Sequence, residues 1–125
     1  MGVYSSDSDL VPYEGRVLSL SSVNSWAGKH DLAARDIDLR LRSRGVIVED
    51  LTADGVTQLK TAAVFLTLAL VFDELSLSGA ESHHLKAQEY KKRFREELDL
   101  QLAVGLALST PESFSRGSMA FDLVR

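Results

Sequence analysis

Eleven consecutive positions, Ala62-Ala63-Val64-Phe65-Leu66-Thr67-Leu68-Ala69-Leu70-Val71-Phe72, carry one polar side chain among them, Thr67. The nearly apolar run, 61–72, is bracketed by Lys60 and Asp73 and falls well short of the roughly 20 residues a helix needs to cross a bilayer. It is expected to form the middle of a buried helix. Its apolar side chains go round most of the helix circumference instead of lining one stripe, so several sides must be covered. The chain has 125 residues, enough for one domain with one modest core. Only two other long helices are expected, so a partner subunit is expected to complete the burial.

The chain has no cysteine, which rules out disulfides and thiolate metal ligands and suits a reducing interior such as a bacterial cytoplasm. The net charge of −4 offers no general attraction to nucleic acid or anionic lipid. The opening Met1-Gly2-Val3-Tyr4-Ser5-Ser6-Asp7 lacks the basic start and apolar stretch of a secretory signal, so no export is expected.

The N-terminal segment, 1–24, is rich in Ser and Asp and broken by Pro12 and Gly15. It predicts a short helix at 6–10 and a brief strand-like alternation at 16–20. The helical core is expected over 25–104. A first long helix is predicted over 26–44, with Ser25 or Asn24 as N-cap and Gly45 as its left-handed terminator. Asp31 with Arg35, Asp36 with Arg40 and Asp38 with Arg42 are i, i+4 acid-to-base pairs in the favourable orientation, each adding a few tenths of a kcal/mol when exposed, and Ala34, Ile37 and Leu41 form its buried stripe. A second, continuous helix is expected from Thr52 or Asp54 to Ser76, ahead of Gly79. A third is expected from Glu81 or Ser82 to Leu102, where Ala87, Tyr90, Phe94, Leu98 and Leu102 make one stripe. Beyond Gly105 lies a C-terminal arm, 105–125. There Met119, Phe121 and Leu123 alternate with Ala120, Asp122 and Val124 as a short strand or extended piece. The fold class is therefore mainly α: a small bundle of three long helices plus a short N-terminal helix, with an extended or β-like C-terminal arm.

No catalytic constellation emerges. His83 and His84 are adjacent, about 100° apart on a helix, and cannot share a metal as an i, i+4 pair can. They and His30 read as solvated or interfacial side chains, and no metal or other cofactor is implied. There is no G-x-S-x-G elbow, no ordered Ser, His and Asp set, and no phosphate-cradling glycine loop. Glu96, Glu97 and Asp99 read as a solvated or ion-paired face. Lys91-Lys92-Arg93-Phe94-Arg95 is the best nucleic-acid candidate, but nearby acids dilute it. Trp26 reads as a core lid more than a partner anchor.

The stretch 58–76, from Gln58-Leu59-Lys60-Thr61 through the apolar run to Asp73-Glu74-Leu75-Ser76, resembles the central helix of head-tail connector, or adaptor, proteins of tailed bacteriophages. The charged helix that follows, Ala87-Gln88-Glu89-Tyr90-Lys91-Lys92-Arg93-Phe94-Arg95-Glu96-Glu97-Leu98, is similar to the one that succeeds it in that family. The likeness covers residues 58–98. Where relatives often continue into a turn rich in Gly and Asp, this chain has Leu108-Ser109-Thr110-Pro111-Glu112-Ser113.

The resemblance implies a non-enzymatic virion protein, made in the host cytoplasm and seated in the neck. Its implied partners are the portal protein, a neck, stopper or tail protein, and further copies of itself in a ring, usually of twelve. DNA would pass through without sequence-specific contact, and no membrane is involved. The interface side chains expected on this reading are Phe114, Met119, Phe121 and Leu123 from the arm, with Arg93, Arg95, Glu96 and Glu97 from the last helix, meeting opposite charges on a neighbour. Two other readings stand beside it: a helical homodimeric regulatory or interaction module, and a small enzyme using the histidines and carboxylates.

Overall fold

The computed structural model describes residues 3–17, 25–79 and 81–109. Among these residues five α-helices follow one another: α1 Asp7–Leu10, α2 Ala27–Ser43, α3 Ala53–Gln58, α4 Lys60–Leu75 and α5 Glu81–Val104. Single 3-10 turns stand at Val48–Asp50 and Ser76–Ser78. The architecture is a mainly helical bundle, and no described helix is long and apolar enough to cross a membrane. The expected strand at 119–124 lies outside the described residues.

The core explains the composition of α4. One of its faces, Ala62, Ala63 and Leu66, enters a cluster with Ala34, Ile37 and Leu41 of α2 and Phe94 and Leu98 of α5. The other, Val64, Leu68, Val71 and Phe72, enters a second cluster with Leu10, Val17, Trp26, Ala87 and Tyr90. A helix feeding two clusters must be apolar nearly all round. The N-terminal segment supplies cover for α4 that the three long helices alone do not. Leu10 and Val17 are fully buried, and Tyr13 packs edge-on against Phe65 with ring centroids 5.3 Å apart.

The second helix is not continuous. The ladder tightens at Leu59, whose N–H bonds the Val56 carbonyl at 3.1 Å, and resumes when Ala63 N–H reaches the Leu59 carbonyl at 2.9 Å. Two packing demands meet at this joint. Leu59 is fully buried, while α3 lies so close to the C-terminal segment that a Cβ on Gly55 would stand 2.5 Å from the Ala107 carbonyl oxygen. Breaking the helix at Leu59 satisfies both. Thr52 caps α3, accepting from Gly55 N–H at 3.2 Å.

Segment 105–109 returns along α3. Gly105 turns the chain at φ +103°, a conformation that favours glycine. Gln58 then clamps the strand-like stretch, donating to the Gly105 carbonyl at 2.9 Å and accepting from Ala107 N–H at 2.8 Å. Thr52 N–H to Ala107 O (3.0 Å) and Ser109 N–H to Asp50 O (2.7 Å) complete an isolated antiparallel bridge between Leu51 and Leu108.

Three local expectations change. The 16–20 alternation does not start as a strand: Arg16 is in a turn and Val17 in a 3-10 turn closed on Glu14, and 18–20 lie outside the described residues. Helix α2 starts one residue late, with Trp26 at the cap position. Ser25 Oγ accepts from Ala27 N–H at 3.2 Å, and Asp7 of α1 accepts from Trp26 N–H at 3.2 Å. Finally, Asp38 is not an exposed partner of Arg42. It is buried and accepts the Tyr4 hydroxyl, while Arg42 bridges Glu49 at 2.9 Å. Asp36–Arg40 does close, at 2.9 Å.

Candidate functional site

Two surfaces carry chemistry: the outer side of α5, and the polar contacts beneath the N-terminal segment. On α5 the stripe Ala87, Tyr90, Phe94 and Leu98 faces inward, which turns the expected charged set outward. Arg93 pairs with Glu89 of its own helix at 3.0 Å and lies over the Tyr90 ring, 5.5 Å from its centroid. Glu97 accepts the Gln101 amide at 3.0 Å. Lys86 and Lys91 are spent on Glu14 and Asp73 at 2.7 and 2.9 Å. The segregated basic block is thus partly paired within the chain, through Lys86, Lys91 and Arg93, which further dilutes it as a nucleic-acid site. Lys92, Arg95 and Glu96 stay exposed without an ion pair among the described residues. Phe114, Met119, Phe121 and Leu123 lie outside the described residues, so the arm is not brought against α5 here.

The same outer surface is studded with apolar side chains. Leu85, Leu100 and Val104 of α5 are exposed; elsewhere, Leu39 of α2 and Leu77 of the turn before α5 are exposed too. Leu100 and Val104 are one helical turn apart and share a face. The expected pattern of charges on α5 therefore alternates with exposed apolar positions.

The histidines separate into three environments. His84 is exposed, and His83 is half-buried with its ring stacked on Phe72 at 5.5 Å. His30, expected to be solvated or interfacial, is instead a core histidine, 3% exposed. Its Nε2 bonds Asp7 Oδ1 at 3.0 Å and its Nδ1 meets Ser5 Oγ at 2.7 Å. A carboxylate can only accept, so Nε2 carries a proton, and in the neutral ring Nδ1 accepts from Ser5. An open cleft of about 260 Å³ is lined by Val3, Ser5, Asp7, Ser25 and His30.

Ser5, His30 and Asp7 thus form a hydrogen-bonded chain that no sequence motif announces, because the members come from two segments of the fold. The surroundings favour a clasp over acyl transfer. Two backbone amides at the start of α2 that could serve an oxyanion are engaged, Trp26 N–H on Asp7 and Ala27 N–H on Ser25. Asp7 itself is engaged at both oxygens, since its Oδ2 takes the Ser25 hydroxyl at 2.7 Å. Burial pushes the Asp7 carboxyl up, but the hydrogen bonds from Ser25, Trp26 and His30 outweigh it and hold it below the usual carboxylate range. Asp9 behaves likewise, with burial overcome by the Ser6 N–H and hydroxyl and by Lys60. Tyr4 and Tyr90 move the other way: burial, and then donation to the Asp38 and Glu14 carboxylates, raise both phenols above their ordinary value.

Among the described residues no group of three or more His, Asp or Glu side chains is arranged to hold a metal ion. Comparison with protein-family models, with curated proteins and with solved structures finds no match to this chain.

Proposed function

We propose that this chain is a structural subunit of the head-tail connector of a tailed phage, built to ring up with copies of itself between the portal and the neck or tail. The observation that carries the reading is the likeness over residues 58–98, a segment that folds as α4 followed by the charged α5. Two further features support it. Among the described residues Lys92, Arg95 and Glu96 have no ion pair, and α5 also exposes Leu85, Leu100 and Val104, a mixed surface suited to a heterologous contact with a neighbour. The arm beyond Ser109 starts from a clamped position and contains Phe114, Met119, Phe121 and Leu123 for docking on portal or neighbour.

Negative-stain electron microscopy of the purified protein, alone and with portal, read beside light-scattering mass, tests this directly. Rings, or a ring added to the portal, are expected. A compact dimer indifferent to portal would move the reading to a homodimeric interaction module, which the exposed Leu39 and Leu85 would also serve. Deleting residues 114–125 is expected to leave a folded subunit that joins portal poorly.

A further inference from the structure

We propose that residues 3–17 are a detachable strap, which closes over α4 through side-chain clasps and opens as a unit while α2, α4 and α5 remain folded. The first ground is backbone connectivity. Every described backbone-to-backbone hydrogen bond of this segment stays inside it: Asp9 to Ser6, Tyr13 and Glu14 to Leu10, and Val17 to Glu14. No described helix ladder is broken when the segment lifts, because its ties to the other described elements run through side chains, the Trp26 indole among them.

The second ground is the distribution of those ties. Tyr4 donates to Asp38 and Ser5 meets His30, both on α2. Asp7 gathers Ser25, Trp26 N–H and His30 at the start of α2, where a carboxylate also complements the helix dipole. Asp9 pairs with Lys60 of α4 at 3.3 Å, and Glu14 takes both Lys86 and the Tyr90 hydroxyl of α5 at 2.7 Å. Three strap carboxylates therefore reach three different helices. Each keeps some contact with solvent, with side-chain exposures of 25%, 22% and 16% for Asp7, Asp9 and Glu14, and the Lys60 and Lys86 partners are about half exposed, so the clasps respond to charge and in part to salt.

The third ground is what lies underneath. Leu10 and Val17 seal the cluster containing Val64, Leu68 and Phe72, so lifting the strap uncovers an apolar seam along α4. Trp26 sits at the hinge side, its Nε1 donating to the Val17 carbonyl at 3.1 Å. It is the only tryptophan of the chain and so reports on the strap.

The test uses the full-length protein with Asp7→Asn, Asp9→Asn and Glu14→Gln combined. Hydrogen exchange at neutral pH is read by mass spectrometry, together with Trp26 emission, dye binding to apolar surface and far-ultraviolet circular dichroism. The expected result is amide exchange in 3–17 faster on the order of tenfold or more, red-shifted tryptophan emission and increased dye binding. Rates in α4 and α5 and the helical signal should stay at wild-type values. Strap amides that keep wild-type protection would overturn the proposal. So would strap and helices accelerating together, since the segment would then belong to one cooperative unit. If the triple variant does not fold, raising sodium chloride on the wild-type protein gives the same readout: selective loss of strap protection supports the device, and unchanged or global exchange refutes it.

Discussion

Replacing Tyr4 by Phe deletes one oxygen and leaves the ring in place, and the structure sets the expected cost. Tyr4 is 5% exposed and Asp38 7% exposed, so water cannot take over when the hydroxyl that serves Asp38 is removed. A hydrogen bond to a charged acceptor contributes about 1.5–3 kcal/mol, and leaving the acceptor buried and short of a partner forfeits it. The expected loss is about 2 kcal/mol. For a chain of 125 residues, the unfolding entropy near the midpoint is roughly 0.26 kcal/mol/K, so Tm should fall by about 8 °C. Urea denaturation followed by circular dichroism measures the loss, and a double-mutant cycle with Asp38→Asn separates the pair from its surroundings. A coupling of about 1 kcal/mol or more is expected. A loss under about 0.5 kcal/mol, or simple additivity in the cycle, would refute the view that this contact anchors the N-terminal segment to α2.

Other consequences follow from the packing. Gly55→Ala should destabilise by about 1–3 kcal/mol despite alanine's better helix propensity, because its Cβ would meet the Ala107 carbonyl at 2.5 Å and Leu51 Cδ2 at 3.0 Å; a raised urea midpoint would contradict the close approach. The folded values of Asp7 and Asp9 lie below those of the unfolded chain. Their stabilisation is therefore complete above about pH 4 and lost as pH falls through the depressed values. Trp26 emission in an acid titration should show this, with the dependence weakened in Asp7→Asn/Asp9→Asn, and identical titrations would count against it. Reversing Lys92 and Arg95 to Glu should change stability by less than about 0.5 kcal/mol while abolishing ring assembly; rings formed by that variant would remove these side chains from the interface.

Much of the bundle was legible because it is written locally. The four-residue recurrence of Tyr90, Phe94 and Leu98 gave α5 its inward stripe, and Gly45, at φ +84°, ends α2 where the pattern placed it. The break at Leu59 was hidden, since leucine continues a helix as readily as it ends one and the cause is the distant Ala107. Asp38 was misread for a related reason: its spacing to Arg42 matches a surface pair, while its real partner is 34 residues away. The His30 clasp was equally out of reach, built from Ser5 and Asp7, 25 and 23 residues upstream. Side-chain contacts across the fold leave no periodic trace. The arm residues 114–123 expected at an interface lie beyond the described segment, so that part of the reading rests on sequence.

The clamp at the end of α5 has a mechanical meaning. A pull applied beyond Ser109 does not act first on the last turn of the long helix. It reaches the Ser109–Asp50 and Ala107–Thr52 bonds and the Gln58 amide, which pass the load to the α2–α3 connection and to α3. The tail is thereby moored to the middle of the molecule, and tension on it is shared by two separate parts of the chain before α5 can be unwound from its end.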